Sequence, residues 1–547
     1  MRPLRDVDYP ANQPPPLVGY DVYGQDAALV EAVGREGGAA ADGELRAFGL
    51  RAGSDEAIAW GVQANANPPV LRTHDRYGAR IDEVEYHPAY HELMRMSIEH
   101  GLHARPWRDA GPGAHVVRAA GFVVGNQVDA GHLCPISMTY SSVPALRAES
   151  ALADEWESRI TADEYDPRSL PASEKAGVLV GMAMTEKQGG SDVRANTTRA
   201  EPIAGESGEF VLTGHKWFCS APMCDAFLVL AQAPGGLTCF WLPRWTPDGG
   251  RNAFRIQRLK DKLGNRSNAS SEVEFHRAWA RRIGEEGRGV RAIIEMVNHT
   301  RLDCVLGATG NMRQALAQAT HHATHRQAFG RELVDQPLMT NVLADLALES
   351  EAATSTALRL ARAYDAHEND EETQFRRLAT AVVKYWTCKR QTAHIAESLE
   401  CLGGNGYVEE SLMPRLLRES PLNGIWEGSG NVMCLDVLRA IVREPASVDA
   451  LFAEVDLADG GDARLDAHVA QTRARVADPG DTEHTARRLV QDLALALQGS
   501  LLVRFAPPAV ADAFCASRLS GEPAFTFGTL PSGVDTHAIV DRARPML

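Results

Sequence analysis

The stretch GMAMTEKQGGSDVRANTT, residues 181–198, constrains the fold more than any other part of the chain. Small apolar residues lead into a threonine and an acid, and two adjacent glycines then meet Ser191 and a polar run. Surface loops combine such residues by accident. A loop that presses its main chain against a flat polar ligand needs the same combination, because glycine lets the backbone approach where a side chain would clash.

The residues that follow this loop change character abruptly. Between 208 and 280, the runs EFVLTGHKWFCSA, AFLVLAQA, GLTCFWLP, FRIQRL and SSEVEFHRAW are short, rich in β-branched and aromatic residues, and separated by Gly, Pro or Asn. Such runs are typical of strands. They predict a β domain of about 100 residues between helical regions.

From Gly289 onward the apolar residues recur with the period of a helix. Long helices are predicted from 289, over 338–364 and over 376–402, with Gly403 and Gly404 as stop residues. A shorter helix is predicted over 429–442. Together these helices indicate an antiparallel four-helix bundle.

The predicted fold class is α+β, with four domains. Residues 1–180 form a mainly helical N-terminal domain, 181–288 a β domain, 289–442 the four-helix bundle, and 443–547 an extra C-terminal helical domain. A chain of 547 residues is too long for one core, which agrees with several domains.

Composition excludes some classes of function. The net charge is −16, so a nucleic acid would have to bind to a local basic patch. No apolar stretch approaches the roughly 20 residues of a membrane helix, and the N-terminus has no apolar core of a secretory signal. The nine cysteines are scattered singly, which favours reduced thiols and a cytoplasmic location.

Several common site types lack support in the sequence. No Walker loop, GxSxG or GxGxxG motif after a strand is present. His321 and His325 have the spacing of two metal ligands on a helix, but no third ligand lies nearby. A solvated helix face is the favoured interpretation, and no metal site is predicted.

The motif NGIWEGSGNV, residues 423–432, permits two interpretations. In the first, it is a helix N-terminus at which Glu427 favours the helix dipole and Ser429 is the cap. In the second, Glu427 faces a pocket walled by Trp426 and apolar groups, where desolvation raises its pKa and makes it a general base. The motif alone leaves both interpretations open.

Three motifs in order carry a resemblance to a known family. They are MTEKQGGSD before the β domain, RQAFGRELVDQP between bundle helices, and ECLGGNGYVEE followed about 20 residues later by IWEGSGN. This order resembles the acyl-CoA dehydrogenase family over roughly residues 85–440. The strings MTEKQGGSDVRANTT, PLNGIWEGSGNVMCLDVLR and AFCASRL resemble a branch of that family associated with the bacterial response to DNA alkylation.

The resemblance implies FAD as cofactor, bound where the β domain meets the bundle, usually in a homotetramer. The loop would lie along the flavin ring, and the strand with HKWFCS would lie against the other side of the ring. Across subunits, an arginine would reach the FAD pyrophosphate, a glutamine would contact the adenosine half, and the glycines of GGNGY would line the site. The implied cofactor residues are Met182, Met184, Thr185, Gly190, Ser191, Lys216, Trp217, Phe218, Arg326, Phe329, Gln336, Gly403, Gly404, Gly406, Ile425, Trp426, Gly428, Ser429, Gly430 and Asn431.

The resemblance also implies a catalytic base. Glu427 matches its commonest position in the family, where it takes the α-proton of an acyl-CoA while the hydride passes to the flavin. In some members the base is on an earlier helix, two residues before an arginine. Here that arginine looks like Arg301 and the position holds His299, so Glu427 is the base candidate of the two.

Two functions stay open at this stage. Members of the similar branch bind double-stranded DNA through the extra C-terminal region, retain the flavin and the base, and are poor acyl-CoA dehydrogenases. The resemblance therefore implies a DNA-binding flavoprotein with weak activity of isovaleryl-CoA type, with an acyl-CoA or an alkylating small molecule as its partner. Residues 443–547 hold ten Arg, no Lys and fifteen Asp plus Glu, a net charge of −5. Either the arginines pair with these acids, or they form a DNA-binding stripe of Arg473, Arg475, Arg487, Arg488, Arg504 and Arg518. The alternative is an ordinary acyl-CoA dehydrogenase for a short or branched acyl group, and a non-catalytic scaffold is a third possibility.

Overall fold

The computed structural model describes residues 12–206, 208–366, 369–477, 482–521 and 525–546, which divide into two compact units. The first, the β unit, consists of Glu56–Cys304 and Glu427–Ser429. The second, the helical unit, contains the described residues of Met1–Asp55, Val305–Trp426 and Gly430–Leu547.

The N-terminal 180 residues are mainly helical, as predicted. Their α-helices within the described residues are α1 (Ala27–Val33), α2 (Asp42–Ala52), α3 (Asp55–Ala66), α4 (Pro88–Glu99), α5 (Arg105–Arg108), α6 (Ala114–Val128), α7 (Leu133–Leu146) and α8 (Ser150–Ile160). A hairpin of two strands, β1 (Val70–His74) and β2 (Arg80–Glu85), interrupts them. Every residue of α6 is buried, so this helix is a core element of the β unit rather than an amphipathic surface helix.

The β-rich segment forms one seven-stranded sheet, as the short runs predict. Its strands are β3 (Val180–Ala183), β4 (Arg199–Pro202), β5 (Glu209–Ser220), β6 (Ala226–Ala233), β7 (Gly236–Pro243), β8 (Phe254–Leu259) and β9 (Ser270–Ile283). The strand order is β3-β6-β4-β5-β9-β7, and β8 also pairs with β9. An additional β6–β7 pairing closes the middle of this path into a barrel. Its aromatic residues Phe227, Phe240, Trp241 and Phe275 are almost completely buried.

The chain then runs through a second set of helices. These are α9 (Gly289–His325), α10 (Pro337–Asp365), α11 (Asp370–Cys401), α12 (Gly404–Tyr407), α13 (Met413–Glu419), α14 (Gly430–Arg443), α15 (Pro445–Asp456), α16 (Ala463–Ala477), α17 (Thr482–Phe505), α18 (Pro508–Phe514) and α19 (Thr536–Ala543). A short hairpin of β10 (Gln327–Ala328) and β11 (Arg331–Glu332) separates α9 from α10. The predicted long helices are confirmed to within a few residues.

The ends of α11 follow directly from its sequence. The Asn369 side chain accepts hydrogen bonds from the backbone N–H groups of Glu371 and Glu372, which caps the first turn. Three acidic residues in that turn also favour the positive end of the helix dipole. The helix ends at Cys401, because Gly403 turns the chain with a φ of 58°.

The C-terminal extension is built into the helical unit. Helix α17 packs against α10, α11, α14 and α15, and its leucines belong to the same core as those of α10. A buried ion network joins extension and bundle, with Glu454 accepting from Arg359 at 2.7 Å and from Arg504 at 2.6 Å. Removing residues 443–547 would therefore expose apolar core and buried charge.

Within the described residues, no helix combines the length and apolar character needed to cross a bilayer.

Two deeply buried histidines give the fold a predictable response to acid. Burial lowers the pKa of His103 in the β unit to about 4, and burial likewise lowers the pKa of His394 in the helical unit to about 4. In the unfolded chain both protonate near pH 6.5, so below that pH the unfolded state binds more protons. Stability is fully present above about pH 6.5 and falls as the pH drops toward 4.

We expect the apparent thermal midpoint to decrease between pH 7.5 and pH 5, because each histidine contributes roughly 2 kcal/mol of destabilisation over this range. Scanning calorimetry at half-unit pH intervals measures the decrease. A His103→Gln/His394→Gln variant should show a shallower dependence. Parallel curves for the variant and the parent protein would contradict the assignment.

Candidate active site and relation to known proteins

Glu427 is held in an unusual backbone conformation. Its φ is 56°, a left-handed value that a non-glycine residue adopts at a cost of roughly 1–2 kcal/mol. Gly428 follows with a φ of 107°, and Glu427–Ser429 belongs to the β unit although the residues on either side do not. Such strain persists where the surroundings fix the residue, and it is found mostly at functional sites.

Two residues of α9 hold Glu427 in place. The hydroxyl of Thr300 donates to the carboxylate Oε2 at 2.7 Å, and the Nε–H of Arg301 donates to the main-chain oxygen at 3.0 Å. Thr300 thus fixes the carboxylate of Glu427, and Arg301 fixes its peptide group. Glu427 as a whole is half-buried. The structure places Glu427 in a polar site rather than in the wholly apolar pocket that its motif suggested.

Sequence reasoning found Arg301 as the family marker but missed Thr300. Thr300 stands directly before Arg301 in the sequence, and that position was the one available hint. A threonine within a helix carries no other feature that would mark it as an anchor before the fold is known. His299 lies one residue earlier and is buried. Its Nδ1 approaches the oxygen of Glu295 at 2.8 Å.

Aromatic rings fill the space around His299. The ring of Tyr140 lies 5.3 Å from His299 between centroids, and Trp107 lies 5.5 Å away. The hydroxyl of Tyr140 also bonds His115 Nδ1 at 2.7 Å. Behind this cluster, Arg118 stacks on Tyr140 at 3.6 Å. His299, the residue that precedes Thr300 in α9, is therefore packed among aromatic rings.

The loop at the start of the β domain is anchored by a buried ion pair. Lys216 Nζ lies 2.8 Å from Glu186 Oε1, and both side chains are completely buried. The other Glu186 oxygen accepts from Thr197 N at 2.7 Å and Thr197 Oγ1 at 2.9 Å. Burial lowers the pKa of Lys216 to about 8, and Glu186 partly offsets this effect. Burial alone would raise the pKa of Glu186, but Lys216 and the hydrogen bonds lower it.

This arrangement corrects the prediction for Lys216. Its ammonium group lies inside the β unit, where it also donates to the oxygen of Leu230 at 2.7 Å. The side chain therefore cannot contact a cofactor on the outer face of the strand. Its role is to hold Glu186, and through Glu186 the loop.

The next two residues of the same strand, Trp217 and Phe218, are more accessible to solvent than Lys216. Trp217 is half-buried and Phe218 is 51% exposed, where the pairing of β5 with β9 shifts register. Such shifts re-aim side chains. The ammonium of Lys260 lies 3.4 Å from the centroid of Trp217. The N–H of Trp217 donates to the oxygen of Thr185 at 2.8 Å, which ties this aromatic surface to the loop.

Gly190 shows why the loop needs a glycine. A Cβ at this position would lie 2.5 Å from the hydroxyl oxygen of Thr185. Because Gly190 has no side chain, the Thr185 side chain can pack against the backbone at this position. Ser191 beyond it is exposed, whereas Met182 and Met184 pack partly against the β-unit core. Loop backbone, hydroxyls and the neighbouring aromatic surface fit one edge of a flat polar ring such as a flavin.

The RQAFG motif forms the tip of the β10–β11 hairpin. Phe329 has a φ of 54° and is 98% exposed. The Arg326 guanidinium donates to the oxygen of Asn12 at 2.7 Å and is half-buried. Gln336 is turned inward, and its side-chain amide donates to the oxygen of Ala328 at 2.9 Å. An almost fully exposed phenylalanine beside an arginine is typical of a contact surface for another molecule.

The glycines of GGNGY differ from one another. Gly403 and Gly404 have open space where a Cβ would be. A Cβ at Gly406 would instead lie 2.4 Å from the oxygen of Leu399, so this glycine is required by packing. A cofactor contact through the first two glycines fits the structure better than one through Gly406.

The residues on either side of Glu427 differ in exposure and in hydrogen bonding. Ile425 is 64% exposed, and the oxygen of Trp426 accepts from Lys384 Nζ at 2.7 Å. Gly430 is the first residue of α14 and is buried, with Ser429 half-buried before it. Asn431 is exposed, and its Oδ1 accepts from Arg487 Nε at 2.9 Å.

The structure contradicts two of the predicted DNA-contacting residues. The Arg518 side chain is 11% exposed and bound by Asp345, and the Arg504 side chain is 18% exposed and bound by Glu454. Both guanidinium groups are paired with buried carboxylates, which opposes a contact with a phosphate. Arg473 pairs with the exposed Asp456 at 2.6 Å, so it remains accessible.

Of the other three arginines, Arg475 on α16 is half-buried, and Arg487 and Arg488 on α17 are exposed. Arg475 and Arg488 share the buried carboxylate of Asp492, so acid pairing explains them as well. Arg487 has no carboxylate partner among the described residues and bonds Asn431 instead.

The histidine pair of α9 is not a solvated face throughout. His325 is exposed, but His321 and His322 are buried, and His321 Nε2 bonds the oxygen of Pro15 at 2.8 Å. Burial lowers the pKa of His322 to about 4. In the part of the chain that the structure describes, no group of three or more His, Cys, Asp or Glu residues is arranged to hold a metal ion.

Comparison with known proteins identifies the family of the chain. Three family profiles match: the adaptive response protein AidB N-terminal domain over 12–167, the acyl-CoA dehydrogenase middle domain over 181–278, and the acyl-CoA dehydrogenase C-terminal domain over 287–442. The chain is 46% identical to AidB of Escherichia coli, with 92% of this chain and 93% of that protein covered. The chain belongs to the acyl-CoA dehydrogenase family. As a member of the acyl-CoA dehydrogenase family it is an FAD-dependent oxidoreductase.

Solved structures of the acyl-CoA dehydrogenase family show the same fold. ACDH-11 of Caenorhabditis elegans, solved with a CoA ligand, superposes with a TM-score of 0.83 at 27% identity and covers 93% of this chain and 92% of its own. An acyl-CoA dehydrogenase from Bacillus anthracis, solved with FAD, has a TM-score of 0.62 at 18% identity, with 78% and 80% covered.

Proposed function

We propose that Glu427 is the catalytic base of an acyl-CoA dehydrogenase-like reaction on an FAD held against the β unit. The observation that carries this proposal is the left-handed backbone of Glu427, fixed at both ends by Thr300 and Arg301. A structural cap would need neither the strain nor the carboxylate anchor.

In this reaction a thioester binds with its α-carbon facing Glu427. The carboxylate of Glu427 takes the α-proton, while Thr300 donates to Oε2 so that the carboxylate does not rotate away. Arg301 fixes the peptide from which the side chain projects. FAD, when bound, supplies the hydride acceptor, and the protein supplies orientation and electrostatics.

The residues proposed to hold FAD in the β unit are the outer edge of the 184–191 loop, the aromatic pair Trp217 and Phe218, and the peptide groups of Gly428 and Ser429. Arg326, Phe329, Gly403 and Gly404 would serve a neighbouring subunit. Exposed Phe329, Leu338 (84%) and Tyr407 (81%) on the helical unit support such a partner and the homotetramer. Light scattering of the purified protein tests this assembly, and a monomer would contradict it.

The packed rings favour a small acyl group. Trp107, Tyr140 and His299 occupy the interior beside Thr300, which leaves little room for a long chain. A short or branched acyl group of isovaleryl type fits this restriction. We place the reaction in the cytoplasm, because all nine cysteines are free thiols.

The test is an absorbance spectrum followed by anaerobic titration. Purified protein should show flavin bands, and isovaleryl-CoA should bleach them more than palmitoyl-CoA. Failure of every acyl-CoA to bleach the bound flavin would exclude the dehydrogenase proposal. A flavin-free protein that cannot be reconstituted would exclude the cofactor assignment.

Binding of double-stranded DNA, in an alkylation response, is the second candidate. It is favoured by three exposed arginines and one half-buried arginine on α16 and α17, helices that pack side by side. The net charge of 443–547 opposes it, and so do the carboxylate partners described above.

Point variants test the DNA proposal without disturbing the core. We expect Arg473→Gln/Arg487→Gln to weaken duplex binding and to reduce the salt slope by about two, because two phosphate contacts are lost. Fluorescence anisotropy at several salt concentrations measures both. Arg255→Gln/Arg544→Gln, on β8 and after α19, makes the same change in charge as a control. Equal effects of the two pairs, or no duplex binding at low salt, would rule this function out.

A further inference from the structure

A cavity of about 280 Å³ lies inside the β unit, apart from the residues proposed for catalysis and FAD. Its walls come from the end of β2, the start of α4, the loop after α8, the first turn of α7, and the segment that follows β5. Glu85 and Pro167 on its rim are exposed. The volume is close to the lower limit for pockets that bind small organic molecules.

A buried ion pair forms part of the wall. Lys175 Nζ lies 2.7 Å from Asp225 Oδ1, with side chains only 4% and 7% exposed. The second oxygen of Asp225 accepts from Leu179 N at 2.8 Å. Both carboxylate oxygens are thus in use. The ammonium has three N–H donors, and Asp225 accepts one of them.

Three tyrosines line the same cavity. Tyr86 stacks on Tyr90 with ring centroids 4.2 Å apart, and the hydroxyl of Tyr165 lies 2.9 Å from His91 Nδ1. Burial raises the pKa of each of these tyrosines. Burial also lowers the pKa of His91. The hydroxyls therefore stay protonated and the imidazole stays neutral at pH 7.

The other acids of the wall already have partners. Asp166 accepts from the Arg168 side chain at 2.6 and 2.9 Å and from its N–H at 3.0 Å. Glu85 accepts from Arg72 at 3.1 Å. Lys175 therefore has N–H donors beyond the one that Asp225 accepts, next to the stacked rings of Tyr86 and Tyr90.

We propose that this cavity is a second ligand site that binds a small aromatic carboxylate. The carboxylate would accept hydrogen bonds from Lys175 and the tyrosine hydroxyls, and the ring would lie against Tyr86 and Tyr90. A ligand of about ten non-hydrogen atoms fits the volume, and a dissociation constant of about 0.1–1 mM is expected for this size.

The probe is benzoate, and ligand-observed NMR measures its binding to the full-length protein. Benzylamine, which has the opposite charge, is the control ligand. Benzoate should bind and benzylamine should not. Tyr86→Phe keeps the ring and removes one donor, so we expect about tenfold weaker binding. Tyr77→Phe, on the exposed β1–β2 turn, is the matched control and should bind normally.

Lys175→Met/Asp225→Asn removes the ammonium without leaving a buried carboxylate and should abolish binding. No benzoate binding, tighter binding of benzylamine, or unchanged binding by Tyr86→Phe and the double variant would overturn the proposal. The flavin spectrum of each variant is recorded in parallel. Since no lining residue is assigned to FAD, this result stands or falls separately from the proposed reaction.

Discussion

Glu427→Gln should slow the anaerobic reduction of bound flavin by isovaleryl-CoA by about 10³-fold. Glutamine keeps the size of the side chain and the hydrogen bond from Thr300, but it cannot accept the α-proton, and general bases contribute about 10²–10⁴-fold. Stopped-flow absorbance measures the rate, and the flavin content of the protein should be unchanged.

The matched control for this change is Glu400→Gln, because Glu400 is an exposed glutamate near the end of α11. In this variant isovaleryl-CoA should reduce the flavin at the rate of the parent protein. Thr300→Val should slow flavin reduction less than Glu427→Gln does, because the carboxylate remains but no longer accepts the hydrogen bond from Thr300. A Glu427→Gln protein that retains FAD and is reduced at the parent rate would show that Glu427 is not the base.

Lys216→Met should destabilise the β unit by about 3–5 kcal/mol. The change leaves the Glu186 carboxylate buried without its cation, which is much more costly than the loss of a surface pair. An apparent thermal midpoint lower by roughly 10 °C is expected. Flavin content should also decrease, because Glu186 holds the loop that we place against the cofactor.

A double variant separates the ion pair from its parts. Glu186→Gln/Lys216→Met replaces the charged pair by neutral groups and should recover most of the lost stability. Lys187→Met, at the exposed neighbouring lysine, should leave the midpoint unchanged. If Lys216→Met is as stable as the Lys187→Met control, the pair does not anchor the loop.

The regular elements were predictable because their signals are local. The period-3.6 pattern after Gly289 and the paired glycines after Cys401 placed α9 to α11, and the runs of β-branched residues placed the strands. The importance of Glu427 was predictable from a motif. Its anchor Thr300 was not, since the two residues are 127 positions apart and only folding brings them together.

Charge pairing was the least predictable property. Lys216 follows a pattern that suggested a cofactor contact, yet strand alternation turns it inward to Glu186. The arginines of the extension offered a basic stripe or a set of ion pairs, and composition could not choose between them. Packing of the extension against the bundle assigned Arg504 and Arg518 to buried carboxylates.

The sequence by itself therefore determined the order of helices and strands, the family and the position of the candidate base. These depend on periodicity and short motifs, which are properties of neighbouring residues. Only the tertiary structure decided which face each charged side chain takes, how Glu427 is held, and where a cavity with unused donors lies. Those depend on contacts between distant segments, where burial makes an unpaired charge too costly to leave and so fixes each partner.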